Sequence, residues 1–122
     1  MMIQKLLATA VIILVFDVIW LSQFGTHLFV PMVENIQSES FSVHYPSAIA
    51  AYVILIIGLY VFCIADNAPI WKCVLFGLVT YGLFDTTNMA IFKDYDYRIA
   101  MIDTIWGGVL CGTTGYFISR LF

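Results

Sequence analysis

Charge is what this sequence has least of. Only 11% of its 122 residues are Asp, Glu, Lys or Arg, where a soluble domain carries about a quarter. The five Lys and Arg residues are scattered, and without a basic cluster a nucleic-acid surface is excluded. The net charge of −3 is small and points to no acidic or basic partner surface. Three cysteines, Cys63, Cys73 and Cys111, all sit in or beside apolar segments. Their odd number argues against a disulfide framework.

Apolar residues take the place of charge, at 62% of the chain. A chain this short leaves most of its surface facing outward, so the apolar surface has to face lipid. One domain, residues 1–122, is expected. Lys5 followed by an apolar run has the look of a signal peptide. However, Asp17 and Trp20 interrupt the place of the cleavage region and no small-x-small site follows, so the expectation is a retained first helix.

Four apolar segments are long enough to cross about 30 Å of hydrocarbon, which takes roughly 20 residues. They cover residues 3–22, 47–65, 70–92 and 99–122. The expected fold class is all-α: an integral membrane four-helix bundle with sequential antiparallel helices. Asp66-Asn67-Ala68-Pro69 makes a tight polar turn, with proline where a first helical turn needs no donor. Lys93-Asp94-Tyr95-Asp96 makes a second turn, with Asp96 as N-cap. The segment 24–45 is longer. Phe24, Leu28, Met32 and Ile36 recur every four residues, which predicts an interfacial helix after helix one, broken or restarted at Pro31. Lys5, Lys72 and Arg120 fall on the side of the termini, against Lys93 and Arg98 on the other, which places the termini in the cytoplasm.

Three aspartates fall inside the expected spans, Asp17, Asp85 and Asp103, with no Lys or Arg at comparable depth. Counting from the span ends puts all three roughly 6–11 Å inside the same membrane face. Asp85 is the deepest by this count. It lies mid-stripe between Tyr81 and Asn88, at i, i+4, i+7 on one helix face, and is the expected centre of the group. Thr86 and Thr87 add hydroxyls beside it. Asp17 precedes Trp20 by three residues and Asp103 precedes Trp106 by three, so D-x-I-W occurs twice.

A carboxylate inside a membrane costs about 2.5–3.5 kcal/mol at the helix centre. Three negative charges in one low-dielectric pocket would repel, so either protons are bound there or a cation sits among them. Asp carboxyls with Asn88 and Thr hydroxyls are a hard oxygen set suited to a divalent cation, Ca²⁺, Mg²⁺ or Mn²⁺. His27 and His44 lie on the same side and could add nitrogen ligands, though solvated loop positions describe them equally well. Each polar residue alone has a plainer reading. Aspartates can act as interhelical hydrogen-bond glue, worth about 0.6 kcal/mol on average. Asp103 can be a first-turn carboxylate favoured by its helix dipole. Trp20, Trp106, Trp71, Tyr45, Tyr95 and Tyr97 can be aromatic-belt anchors. The trio together favours a site. Gly108 and Gly112 form G-x-x-x-G, and Gly107, Cys111, Gly115 and Ser119 form a second small-residue row; such faces allow close packing, inside the bundle or against a homo-oligomer or other membrane-protein partner.

F-D-V-I-W-L (Phe16–Leu21), Y-G-L-F-D-T-T-N-M-A (Tyr81–Ala90) and D-T-I-W-G (Asp103–Gly107) resemble the three signatures of the domain-of-unknown-function 2177 family of short predicted membrane proteins. The resemblance covers nearly the whole chain, implies the four-helix topology, and implies no particular reaction. It marks Asp17, Trp20, Asp85, Asn88, Asp103, Trp106 and Gly107. The family's third-helix pattern is closer to Y-D-L-T-N. Here Phe84 and Thr86 stand in it, so a tyrosine hydroxyl would have to come from Tyr81, one turn earlier.

The resulting expectation is a pocket of Asp17, Trp20, Tyr81, Asp85, Asn88, Asp103 and Trp106, opening to the face opposite the termini and binding a cation, a proton or a polar lipid headgroup. A membrane enzyme with an Asp base or a carboxylate-held metal is the first alternative, although no recognised catalytic signature supports it. A structural or assembly subunit is the second.

Overall fold

The computed structural model describes residues 2–122. They form four long helices and no strands among the described residues. We label these α1 (Met2–Gln37), α2 (Tyr45–Ile64), α3 (Ile70–Ile91) and α4 (Tyr97–Leu121). Helices α1, α2 and α3 are long and apolar enough to cross a membrane. Helix α4 is as long, with 25 residues, but it is diluted by Gly107, Gly108, Gly112, Gly115 and three threonines. Its place explains this. It carries ten buried residues, more than any other helix, and packs most extensively against α3 and next against α1. A helix covered by protein on several sides needs less apolar surface than one bathed in lipid. The lipid-facing layer comes from all four helices, for example Val15, Ile54, Leu83 and Ile105, each more than half exposed.

The first helix departs from the expected layout. The segment after Ser22 is helical, as its four-residue spacing implied, but it continues α1 without a break to Gln37. The 36 residues make about 54 Å at 1.5 Å per residue, well beyond the hydrocarbon thickness. Leu21–Phe29 is wound as π-helix, with the Val30 N–H donating to the Gly25 carbonyl, and α-helical register resumes over Val30–Gln37. Proline lacks an N–H and its ring crowds the preceding turn. Here the wider π turns precede Pro31, and the proline falls in the first turn of the resumed register, where its N–H is not needed. The helix ends at Ser38, whose left-handed backbone (φ 57°) closes the last turn.

Both short connections follow the expected turn chemistry. Asn67 and Asp94 carry the left-handed residues of the two turns, a conformation Asn and Asp tolerate better than most. Asp96 accepts the Arg98 N–H at 2.8 Å and so caps α4. The α3–α4 turn also leans on the extension of α1, where the Asp96 N–H meets the Met32 sulfur at 3.2 Å.

The closest helix–helix approach lies between α3 and α4. A Cβ added at Gly77 would overlap the carbonyl oxygen of Gly107, and one at Gly107 would overlap the Tyr81 ring. Gly108 faces Leu78, Gly112 faces Val74 and Gly115 faces Cys73. The Gly108/Gly112 row, a candidate face for a partner chain on sequence grounds, is therefore covered by α3 within this chain. Close backbone approach is what such rows permit, and the intramolecular neighbour has used it.

Candidate functional site

The aspartates are brought to one half of the bundle, in two hydrogen-bonded groups. In the first, the buried Asp17 of α1 accepts from the Tyr52 hydroxyl of α2 through Oδ2, and from the Trp106 indole N–H of α4 through Oδ1 at 2.9 Å. One carboxyl thus ties three helices together. Trp106 lies flat on Trp20, with ring centroids 4.5 Å apart and 4° between planes, and Trp20 stacks in turn on Phe24 at 4.3 Å. The two D-x-I-W elements are therefore interlocked: the tryptophan of one donates to the aspartate of the other.

In the second group, Asp85 of α3 is wholly buried. Its Oδ1 accepts from the Tyr95 hydroxyl at 2.9 Å and its Oδ2 from the Thr104 hydroxyl at 3.2 Å. Asp103, half-buried, directly precedes Thr104 in the chain and so belongs to the same stretch of α4 that meets Asp85. Asn88 and Tyr95 line one cavity. Burial pushes the Tyr95 phenol above its ordinary value; the Asn88 contact works the other way and the Asp85 charge adds to the rise. Tyr95 therefore stays protonated and donating across the physiological range.

Tyr81, on the same face of α3 as Asp85, sets its ring against Gly107 of α4. Its hydroxyl has no hydrogen-bond partner among the described residues. The phenol that serves Asp85 is Tyr95, from the α3–α4 turn, and not Tyr81 one helical turn away. Thr86 turns back to its own helix and donates to the Gly82 carbonyl at 2.7 Å, while Thr104 supplies the hydroxyl from across the interface.

Because α1 runs on past Ser22, Asp17 is not near the end of its helix; it meets α4 at the Trp106 indole. Three of the donors, Tyr52, Tyr95 and Thr104, carry no signal of this role in the sequence. Tyr52 lay in an unremarkable apolar run, and Tyr95 looked like a belt aromatic.

Among the described residues, no three His, Cys, Asp or Glu side chains gather closely enough to hold a metal ion. His44 contacts Ser47 at 2.6 Å, and both histidines are exposed. The one ion pair among the described residues joins Arg98 to Asp96 at 3.6 Å, at the surface. No basic side chain compensates Asp17, Asp85 or Asp103, yet every buried polar side-chain atom among the described residues has a hydrogen-bond partner.

The family model described as "Predicted membrane protein (DUF2177)" matches residues 2–119. The chain belongs to that family. No curated protein and no solved structure matches it.

Proposed function

We propose that this member of the family is an integral membrane protein that binds an exchangeable proton on the Asp85–Asp103 carboxyl pair. One observation carries the reading: Asp85 is wholly buried without a basic partner, and its donor Thr104 directly follows Asp103, which brings a second carboxyl to the same stretch of the α3–α4 interface. Neighbouring carboxylates repel and offer each other only acceptors, so a proton held between them is favoured. Asp85 already accepts from Tyr95 and Thr104, which makes it the acceptor and leaves the proton on Asp103. A different observation favours a structural role for Asp17, whose two oxygens are both engaged by donors from neighbouring helices.

Infrared difference spectroscopy of the purified full chain tests the pair. A carboxylic C=O band is expected at neutral pH and should vanish in Asp103→Asn. That variant should melt close to the parent, because its amide can still donate to Asp85. A spectrum with no carboxylic band at neutral pH, or one unchanged by Asp103→Asn, would remove the proton site.

We further place both termini in the cytoplasm, on the balance of Lys5, Lys72 and Arg120 against Lys93 and Arg98. Single cysteines at Gln4 and Phe122, in protein cleared of Cys63, Cys73 and Cys111, should both react only from the cytoplasmic side. Reaction of the two from opposite sides would mean an odd number of crossings.

A further inference from the structure

A cavity of about 280 Å³ lies between the extension of α1 and the end of α3. Four aromatic side chains line it: Phe29, Phe41, Phe92 and Tyr95. Asn88 and Gln37 add its polar edge, and no Lys, Arg or His is among its lining residues. None of the four rings is stacked on another. Behind the Tyr95 ring lies acid, since its hydroxyl donates to Asp85 at 2.9 Å. The Phe41 wall is held by a second acid, its N–H donating to Glu34 Oε2 at 2.7 Å.

Ring faces carry the negative end of the aromatic quadrupole, and alkylammonium groups are the guests that such cages recognise. A phenol donating to a carboxylate is a richer π-donor than a free one, so the Asp85 bond strengthens the Tyr95 face. The volume lies just below that of most ligand pockets, which run roughly 300–1,000 Å³, and so suits only a small head group. We propose that this cavity binds an alkylated ammonium group, from a lipid headgroup or a free amine. The site goes beyond the proton reading, lies outside the carboxyl pair, and has its own readout.

Isothermal titration of the full chain in maltoside tests it, with tetramethylammonium and choline as probes and 3,3-dimethyl-1-butanol as the uncharged isostere of choline. The ammonium ions should bind saturably and the alcohol should not. Phe92→Leu and Phe41→Leu each remove a ring at similar volume and should weaken binding about five- to thirtyfold. Tyr95→Phe keeps the ring but loses the bond to Asp85, and should weaken it about two- to fivefold. Absence of ammonium binding, or equal binding of alcohol and choline, would overturn the proposal without reference to any variant. So would ring-removal variants that melt normally and bind as the parent does. Phosphatidylcholine nanodiscs that displace tetramethylammonium, where phosphatidylglycerol nanodiscs do not, would assign the site to a headgroup. Failure of both to displace it, with binding retained, would assign it to a free amine.

Discussion

Replacing Gly77 by valine should destabilise the bundle by about 3 kcal/mol or more, the upper part of the range for overpacking a filled interface. At this position the first added carbon meets backbone, the carbonyl of Gly107. A side chain can rotate aside; a helical carbonyl can move only if α3 and α4 separate. Separation would also lift Tyr81 from Gly107 and Val74 and Leu78 from Gly112 and Gly108. The control is Gly82→Ala, whose Cβ would meet only the Thr104 side chain, its methyl at 3.3 Å. That change should stay within about 1 kcal/mol, since alanine also favours the helix. Denaturation in maltoside, followed by circular dichroism against heat and against added dodecyl sulfate, reads both. Equal tolerance of the two substitutions would show that the helices do not cross as closely as the structure has them.

Asp17→Ala should cost about 1–4 kcal/mol. The substitution strands two donors, the Tyr52 hydroxyl and the Trp106 indole, each of which costs about 1–3 kcal/mol when buried without a partner. Interhelical hydrogen bonds in membranes average nearer 0.6 kcal/mol, which sets the lower end. The loss should be cooperative in a particular way. Tyr52→Phe alone removes one donor and leaves Asp17 its bond to Trp106, so it should cost less. A cycle combining Tyr52→Phe with Asp17→Ala should show coupling, because the two changes break the same bond. Trp106 should report it too: the release of its indole N–H should disturb the Trp20–Trp106 stack and shift the emission. Additive losses with unchanged emission would mean that Asp17 does not hold the three helices.

The two changes probe different kinds of information. The membrane class and the helical fold could be read directly from residue types, because transfer to lipid sums over a run of side chains and needs no knowledge of their neighbours. The turns at Asn67 and Asp94 and the cap at Asp96 were equally local, each set by what a side chain does to its own backbone. Intramembrane charge is scarce enough that Asp17, Asp85 and Asp103 stood out unaided.

Their partners did not stand out. Tyr52 is 35 residues from Asp17 and Trp106 is 89 residues from it, and these contacts depend on how each helix is rotated and how closely α3 and α4 cross. Tyr95 reaches Asp85 from a turn, where no helical periodicity applies. The continuation of α1 through Pro31 depended on a change of hydrogen-bond register that carries no composition signal. The cavity beside it exists only because that extension stands against the end of α3. By itself the sequence determined which solvent the chain lives in, where its helices turn and which acids are buried at a cost, since these follow from free energies that are nearly additive along the chain. Only the tertiary structure decided which donors satisfy those acids and which rings enclose a space, since hydrogen bonds and packing act over a few ångströms between residues that are distant in sequence.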